Sequence, residues 1–162
     1  MVETLVINSG PLITLAKIEA LWLIDVLPFR FMTPTEVRVE LVAGPADLLA
    51  TNFPGSIEVA PLASPQVEHL FENLDSGEAA VIQLAIERGV STVCLDERKG
   101  RAYAAREGLE LIGSLGLLGR AKKLGHIEKI APLIARAQSV GARYDSKTVE
   151  NFLSNFNEVP IP

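Results

Sequence analysis

The stretch Ser91-Thr-Val-Cys-Leu-Asp-Glu-Arg-Lys-Gly-Arg-Ala-Tyr-Ala-Ala-Arg-Glu-Gly-Leu-Glu-Leu-Ile112 decides the architecture. Ser91 to Leu95 is a short apolar run of strand type, Glu97 to Glu107 reads as a basic helix, and Leu109 to Ile112 is a second strand. Short strands without polar alternation are buried on both faces, so this alternation predicts a parallel sheet covered by helices on both sides.

The same grammar extends outward in both directions. Asp75-Ser-Gly-Glu78 opens a helix whose Ala79, Ile82, Ala85 and Ile86 form its buried stripe and which Gly89 caps. Thr4 to Asn8 reads as a strand, and Ser9-Gly10-Pro11 turns it into a helix carried on by Leu12, Leu15, Ala16 and Ile18. Leu21 to Leu27 is a short helix stopped by Pro28, and Phe29 to Met32 a brief strand. Thr33-Pro-Thr-Glu36 has the form of a capping box, predicting a helix from Pro34 to Ala43 that Gly44 ends. Gly44 to Pro65 is the least regular segment, with a helix around Asp47 to Thr51 and a strand at Ser56 to Ala60. Gln66 to Leu74 reads as another short helix. Ser114 is placed to cap a helix ending at Gly125, and Glu128 to Val140 and Lys147 to Phe156 read as helical.

With 162 residues, 48% hydrophobic and 22% charged, the chain fits one domain spanning 1–162 with a substantial core. The longest uncharged stretch, Thr4 to Ala16, is 13 residues, short of the roughly 20 a membrane-spanning helix needs. Glu3 stands where a secretory signal carries positive charge, and the expected location is the cytoplasm. The single Cys94 excludes an internal disulfide and a multi-thiolate metal centre, and its apolar neighbours make it a buried strand thiol. The net charge of -5 argues against a polyanionic partner. Its distribution does not: residues 1–75 hold 3 Lys/Arg against 10 Asp/Glu, whereas residues 88–147 hold 12 against 6. A solvated face of basic helices explains the same numbers equally well.

Asn8, Glu40, Glu78 and Asp96 lie far apart in the chain, yet each falls near a strand end or on a helix beside apolar sequence. In open parallel sheets such positions converge at the carboxyl edge of the strands. Three carboxylates forced together repel one another unless a cation offsets them. A hard divalent ion, Mg²⁺ or Mn²⁺, suits such an oxygen set and activates water for attack on a phosphodiester. Each residue also has a local reading: Glu78 as the partner of an Asp75 cap, Asp96 as the cap of the helix at Glu97, and Asn8 as a turn residue. Glu40 has none beyond exposure. His69 and His126 lack partners and carry no role.

Val6-Ile-Asn-Ser-Gly-Pro-Leu-Ile13, Glu40-Leu41, Asp75-Ser-Gly-Glu-Ala79 and Cys94-Leu-Asp-Glu-Arg98 occur in the order found in PIN-domain nucleases, and the chain resembles VapC-like toxin ribonucleases. Ile112 to Ile127 extends the likeness to a PIN-like group whose first motif begins with Asn. The resemblance implies a three-layer α/β/α sandwich with a mostly parallel sheet, a Mg²⁺ or Mn²⁺ site, and endonucleolytic RNA cleavage restrained by an antitoxin partner. By position, Asn8 stands for the first family aspartate, Glu40 for the helix glutamate, and Glu78 and Asp96 for the third and fourth acids; Glu97 assists at the metal. Ser9 takes the place of a small hydroxyl residue, and Arg98, Lys99 and Arg101 position phosphates. The neutral amide of Asn8 removes one negative charge from the site. Two other readings share these residues: a catalytically weakened PIN-like interaction or RNA-binding module, and a metal-dependent phosphohydrolase acting on small esters. A C-terminal segment, 147–162, is expected to dock a homodimer partner or antitoxin, or to pack back on its own domain.

Overall fold

The computed structural model describes residues 2–44, 49–66 and 73–162. Five strands, β1 (Glu3–Ile7), β2 (Phe29–Pro34), β3 (Glu58–Ala60), β4 (Thr92–Cys94) and β5 (Glu110–Ile112), pair in the order β3-β2-β1-β4-β5. Every pairing is parallel. Eight helices are seen among the described residues: α1 (Ser9–Lys17), α2 (Leu23–Val26), α3 (Thr35–Ala43), α4 (Ser76–Arg88), α5 (Arg98–Arg106), α6 (Ser114–Lys123), α7 (Ala131–Ser139) and α8 (Ser146–Ser154). The chain is thus an α/β/α sandwich around a parallel sheet, as the strand–helix–strand alternation and the family resemblance imply.

Burial explains the arrangement. Leu5, Val6 and Ile7 of the central strand are fully buried, and so are Val93 and Cys94 of β4. A fully buried aliphatic side chain contributes about 1.5–3 kcal/mol, so the middle strands have no free face for water. α4 carries the widest buried surface of any helix here, with Ala79 to Ala85 all buried. It starts from Asp75 with a complete capping box and stops at Gly89, whose φ of 65° is the left-handed conformation glycine accepts without strain.

Three local expectations are corrected. Thr33 does not cap α3: β2 runs through Pro34, pairing Thr33 with Val59 and Pro34 with Ala60, and the Thr33 hydroxyl donates to the Ile7 carbonyl at 2.7 Å. Sheet pairing claims the residue before the helix can. Ser114 sits at the first position inside α6 rather than at its cap, which is Gly113. The cap of α5 is Glu97, not Asp96. The Asp47 to Thr51 expectation falls partly, and the Gln66 to Leu74 one largely, outside the described residues.

The C-terminal segment packs back. Val149 and Leu153 of α8 are buried, and Phe152 and Phe156 lie against the core. Glu158 accepts from the Ile130 and Ala131 amides opening α7 and pairs with Lys122 at 2.5 Å. Val159 to Pro162, beyond these contacts, are exposed.

Candidate functional site

In the strand order 3-2-1-4-5 the chain turns outward in opposite directions from β1 and β4, and the crevice beyond the carboxyl ends of such a strand pair is where α/β sheets bind ligands. Asn8 directly follows β1 and Asp96 lies two residues past β4. The Asn8 amide N–H donates to the Cys94 carbonyl at 3.1 Å, which ties the two exits together. Asn8 is 5% exposed, and its Oδ1 has no hydrogen-bond partner among the described residues. A buried carbonyl oxygen left unpaired is costly, and a cation is one group that satisfies it.

Glu40 reaches this edge from α3. Its carboxylate accepts from Ser9 Oγ at 3.4 Å and from the Gly77 amide at the start of α4, a helix N-terminus that favours an anion. The approach is so close that a Cβ at Gly77 would lie 2.6 Å from Glu40 Oε1. Glycine is needed there for clearance. Glu78, 5% exposed, lies against Gly100 of α5 and accepts from the Asp75 amide at 3.2 Å, completing the capping box. The local role and a site position therefore coexist in one carboxylate. Burial first, and then the nearby Asp75 carboxylate, push both Glu40 and Glu78 above the ordinary carboxylate range; Glu97 and Glu40 add to the push on Glu78. No cation figures among the causes.

Asp96 has different company. The Ser114 amide donates to its Oδ1 at 2.8 Å, and the Arg101 guanidinium beside it donates to the Leu95 carbonyl at 2.6 Å. Burial raises the Asp96 carboxyl, while Ser114 and Arg101 pull it back down. Ser114 Oγ shares a 2.7 Å hydrogen bond with the Tyr144 hydroxyl. A Cβ at Gly113 would stand 2.8 Å from Asp96 Oδ1, so this niche too is closed by a glycine. Burial also pushes the Cys94 thiol well up, leaving it inert.

The structure thus gathers Glu40 and Glu78, with Asp75, around the start of α4, and sets Asp96 in a separate niche beside the same strand ends. Among the described residues no three His, Cys, Asp or Glu side chains form a group able to hold a metal ion by themselves. Two carboxylates and an amide oxygen remain a fitting set for Mg²⁺ or Mn²⁺, which bind one or two carboxylates and keep several waters. The orphaned Asn8 oxygen and the uncompensated Glu40 and Glu78 are the observations for that fit. Glu97, Arg98 and Lys99 are exposed around the start of α5. Sequence reading missed Asp75 as a neighbour of Glu40, and Ser114, itself bonded to Tyr144, as the holder of Asp96. Gly77 and Gly113 were the available signals, since each adjoins a residue of interest.

A family model described as PIN domain matches residues 4–158. No curated protein matches the chain.

Proposed function

The chain belongs to the PIN-domain family, whose members are generally nucleases, and from that premise we propose that it is a divalent-metal-dependent endoribonuclease, the toxin of a prokaryotic toxin–antitoxin pair. The observation that carries this reading is the placement of Glu40 and Glu78 together at the start of α4, where none of the ion pairs among the described residues reaches either. Glu40, Glu78 and the Asn8 carbonyl oxygen would hold Mg²⁺ or Mn²⁺, with Asp96 and Glu97 close by along the edge. When bound, such an ion supplies an activated water and stabilises the leaving oxygen of a phosphodiester. Ser9 holds Glu40 in place, Ser114 holds Asp96 with the Arg101 guanidinium facing it, and Arg98 and Lys99 offer charge to the RNA backbone. No helix among the described residues is long and apolar enough to cross a membrane.

The test is Mn²⁺ titration by calorimetry together with cleavage of labelled RNA by the wild type and Asp96→Asn. Saturable Mn²⁺ binding and metal-dependent cleavage that Asp96→Asn abolishes support the reading. Full activity in that variant refutes the assignment. One observation favours a second reading, a weakened module that binds RNA or protein: Asn8 is neutral, and among the described residues no three His, Cys, Asp or Glu side chains form a metal-holding group. RNA binding without Mn²⁺ binding or cleavage selects it. Hydrolysis of p-nitrophenyl phosphate in preference to RNA selects a small-ester phosphohydrolase.

A further inference from the structure

A cleft of about 580 Å³ opens between α1 and the segment joining α7 to α8, and Asp96 lies on its wall. A second cavity of about 420 Å³ also reaches Asp96, from the side of β5 and α6. Arg143 and Tyr144 line both, forming a ridge between two hollows that each border the Asp96 niche. The first cleft also receives Lys17 from α1 and Arg98 from α5.

Asp96, Glu97 and Asp145 line this cleft together with Lys17, Arg98 and Arg143, and two of the three acids have other partners. Asp145 is engaged with Thr148, whose amide and hydroxyl donate to its Oδ2 at 3.0 and 3.1 Å. Asp96 is held by Ser114 and faced by Arg101. The ion pairs formed among the described residues are Arg30–Glu58, Lys122–Glu158 and Arg136–Glu19, and Arg98 faces Asp145, so Lys17 and Arg143 have their charge to offer. Half-buried Tyr144 adds a ring at the ridge, its hydroxyl tied to Ser114. Cations flanking an aromatic ring are the elements that bind single-stranded nucleic acid, the cations following phosphates and the ring stacking a base.

We propose that this cleft is the substrate track of the nuclease. A single RNA strand crosses the Arg143–Tyr144 ridge, Lys17 and Arg143 contact the phosphates flanking the scissile one, and Tyr144 stacks an adjacent base. This rests on the nuclease reading and adds three residues, Lys17, Arg143 and Tyr144, that the family motifs do not include.

The experiment is fluorescence anisotropy of a fluorescein-labelled single-stranded RNA with the full chain in EDTA, across a salt series. Arg30→Ala, on a cation paired with Glu58 elsewhere on the sheet, is the control. Lys17→Ala and Arg143→Ala should each weaken binding several-fold and lower the log–log salt slope by about 0.7. Tyr144→Leu should weaken it about tenfold, whereas Tyr144→Phe, which keeps the ring, should bind like the wild type. Thermal melts confirm that each variant is folded. If the wild type binds and all the cleft variants match Arg30→Ala, the track is overturned while the nuclease reading stands. A wild type that binds no RNA at any salt overturns both.

Discussion

Glu78 and Asp96 stand at the same edge of one sheet and carry the same charge, yet their surroundings are opposite. Glu78 meets Asp75, Glu97 and Glu40, and its own hydrogen bond to the Asp75 amide only partly offsets them. Asp96 meets an amide, a hydroxyl and a guanidinium. None of the ion pairs among the described residues reaches the glutamates, whereas Asp96 is hydrogen-bonded by Ser114 and faced by Arg101, although burial still holds its carboxyl above the ordinary range. On the proposed reading, metal affinity belongs chiefly to Glu40 and Glu78, and Asp96 is a group whose position the protein sets in advance.

The largest test of that contrast separates binding from turnover. Glu78→Gln, which retains the capping-box geometry, should lose most Mn²⁺ affinity and about 10²–10³-fold in RNA cleavage, the scale of losing one pre-placed electrostatic group. Asp96→Asn should lose comparable activity while Mn²⁺ affinity falls by less than about threefold on the same scale. Equal loss of affinity in both would erase the distinction between the two sides.

A change at Asn8 comes next. Asn8→Asp adds a buried carboxylate, and Mn²⁺ should bind about tenfold more tightly, since ligand charge tunes such sites. Without metal the same variant should melt at a lower temperature, because an uncompensated charge replaces the amide.

Two glycines give a smaller and more local comparison. In Gly77→Ala the new methyl displaces the Glu40 carboxylate, whose amide partner is Gly77 itself, and cleavage should drop about tenfold. Stability should change little, since alanine gains about 1 kcal/mol of helix propensity over glycine. Gly113→Ala, outside a helix interior, has no such offset and crowds both Asp96 Oδ1 and Arg101 Nη1, at 2.8 and 3.1 Å, so activity and melting temperature should fall together.

The smallest effect is in pH. Glu40 and Glu78 hold protons more tightly folded than unfolded, so their stabilising contribution is complete below the unfolded value of 4.5 and is lost as pH rises through their higher folded values. Metal-free protein should therefore lose stability to urea as pH climbs from about 4.5 toward neutrality, and Glu78→Gln should flatten that loss. Saturating Mn²⁺ should remove it in the wild type. A stability curve that Glu78→Gln leaves unchanged would show that burial beside Asp75 does not hold the Glu78 proton more tightly in the folded state.

Much of this edge was readable from the chain. The strand at Thr92–Cys94, the capping box at Asp75 and the Gly89 stop follow from signals spanning a few residues, and each appears where the sequence puts it. Thr33-Pro-Thr-Glu36 shows how such a signal fails. Its spacing matches a capping box, but Thr33 and Pro34 lie in a strand whose partner is more than twenty positions away, and pairing with β3 and the Ile7 carbonyl outweighed the local cap. Ser114 and Asp96 were misread as caps for the same reason: each found a more distant partner, Tyr144 for one and Ser114 for the other.

By itself, then, the amino-acid sequence determined the succession of strands and helices, the parallel class of the sheet and the identity of the acids, because periodicity, capping and turn chemistry act within about one helical turn. Only the tertiary structure decided which acids keep company. The placement of β1 between β2 and β4, the closeness of Glu40 to Gly77, and the Ser114 hold on Asp96 all depend on packing between segments far apart in the chain. Local preferences carry no information about such contacts; burial and charge in the assembled core do.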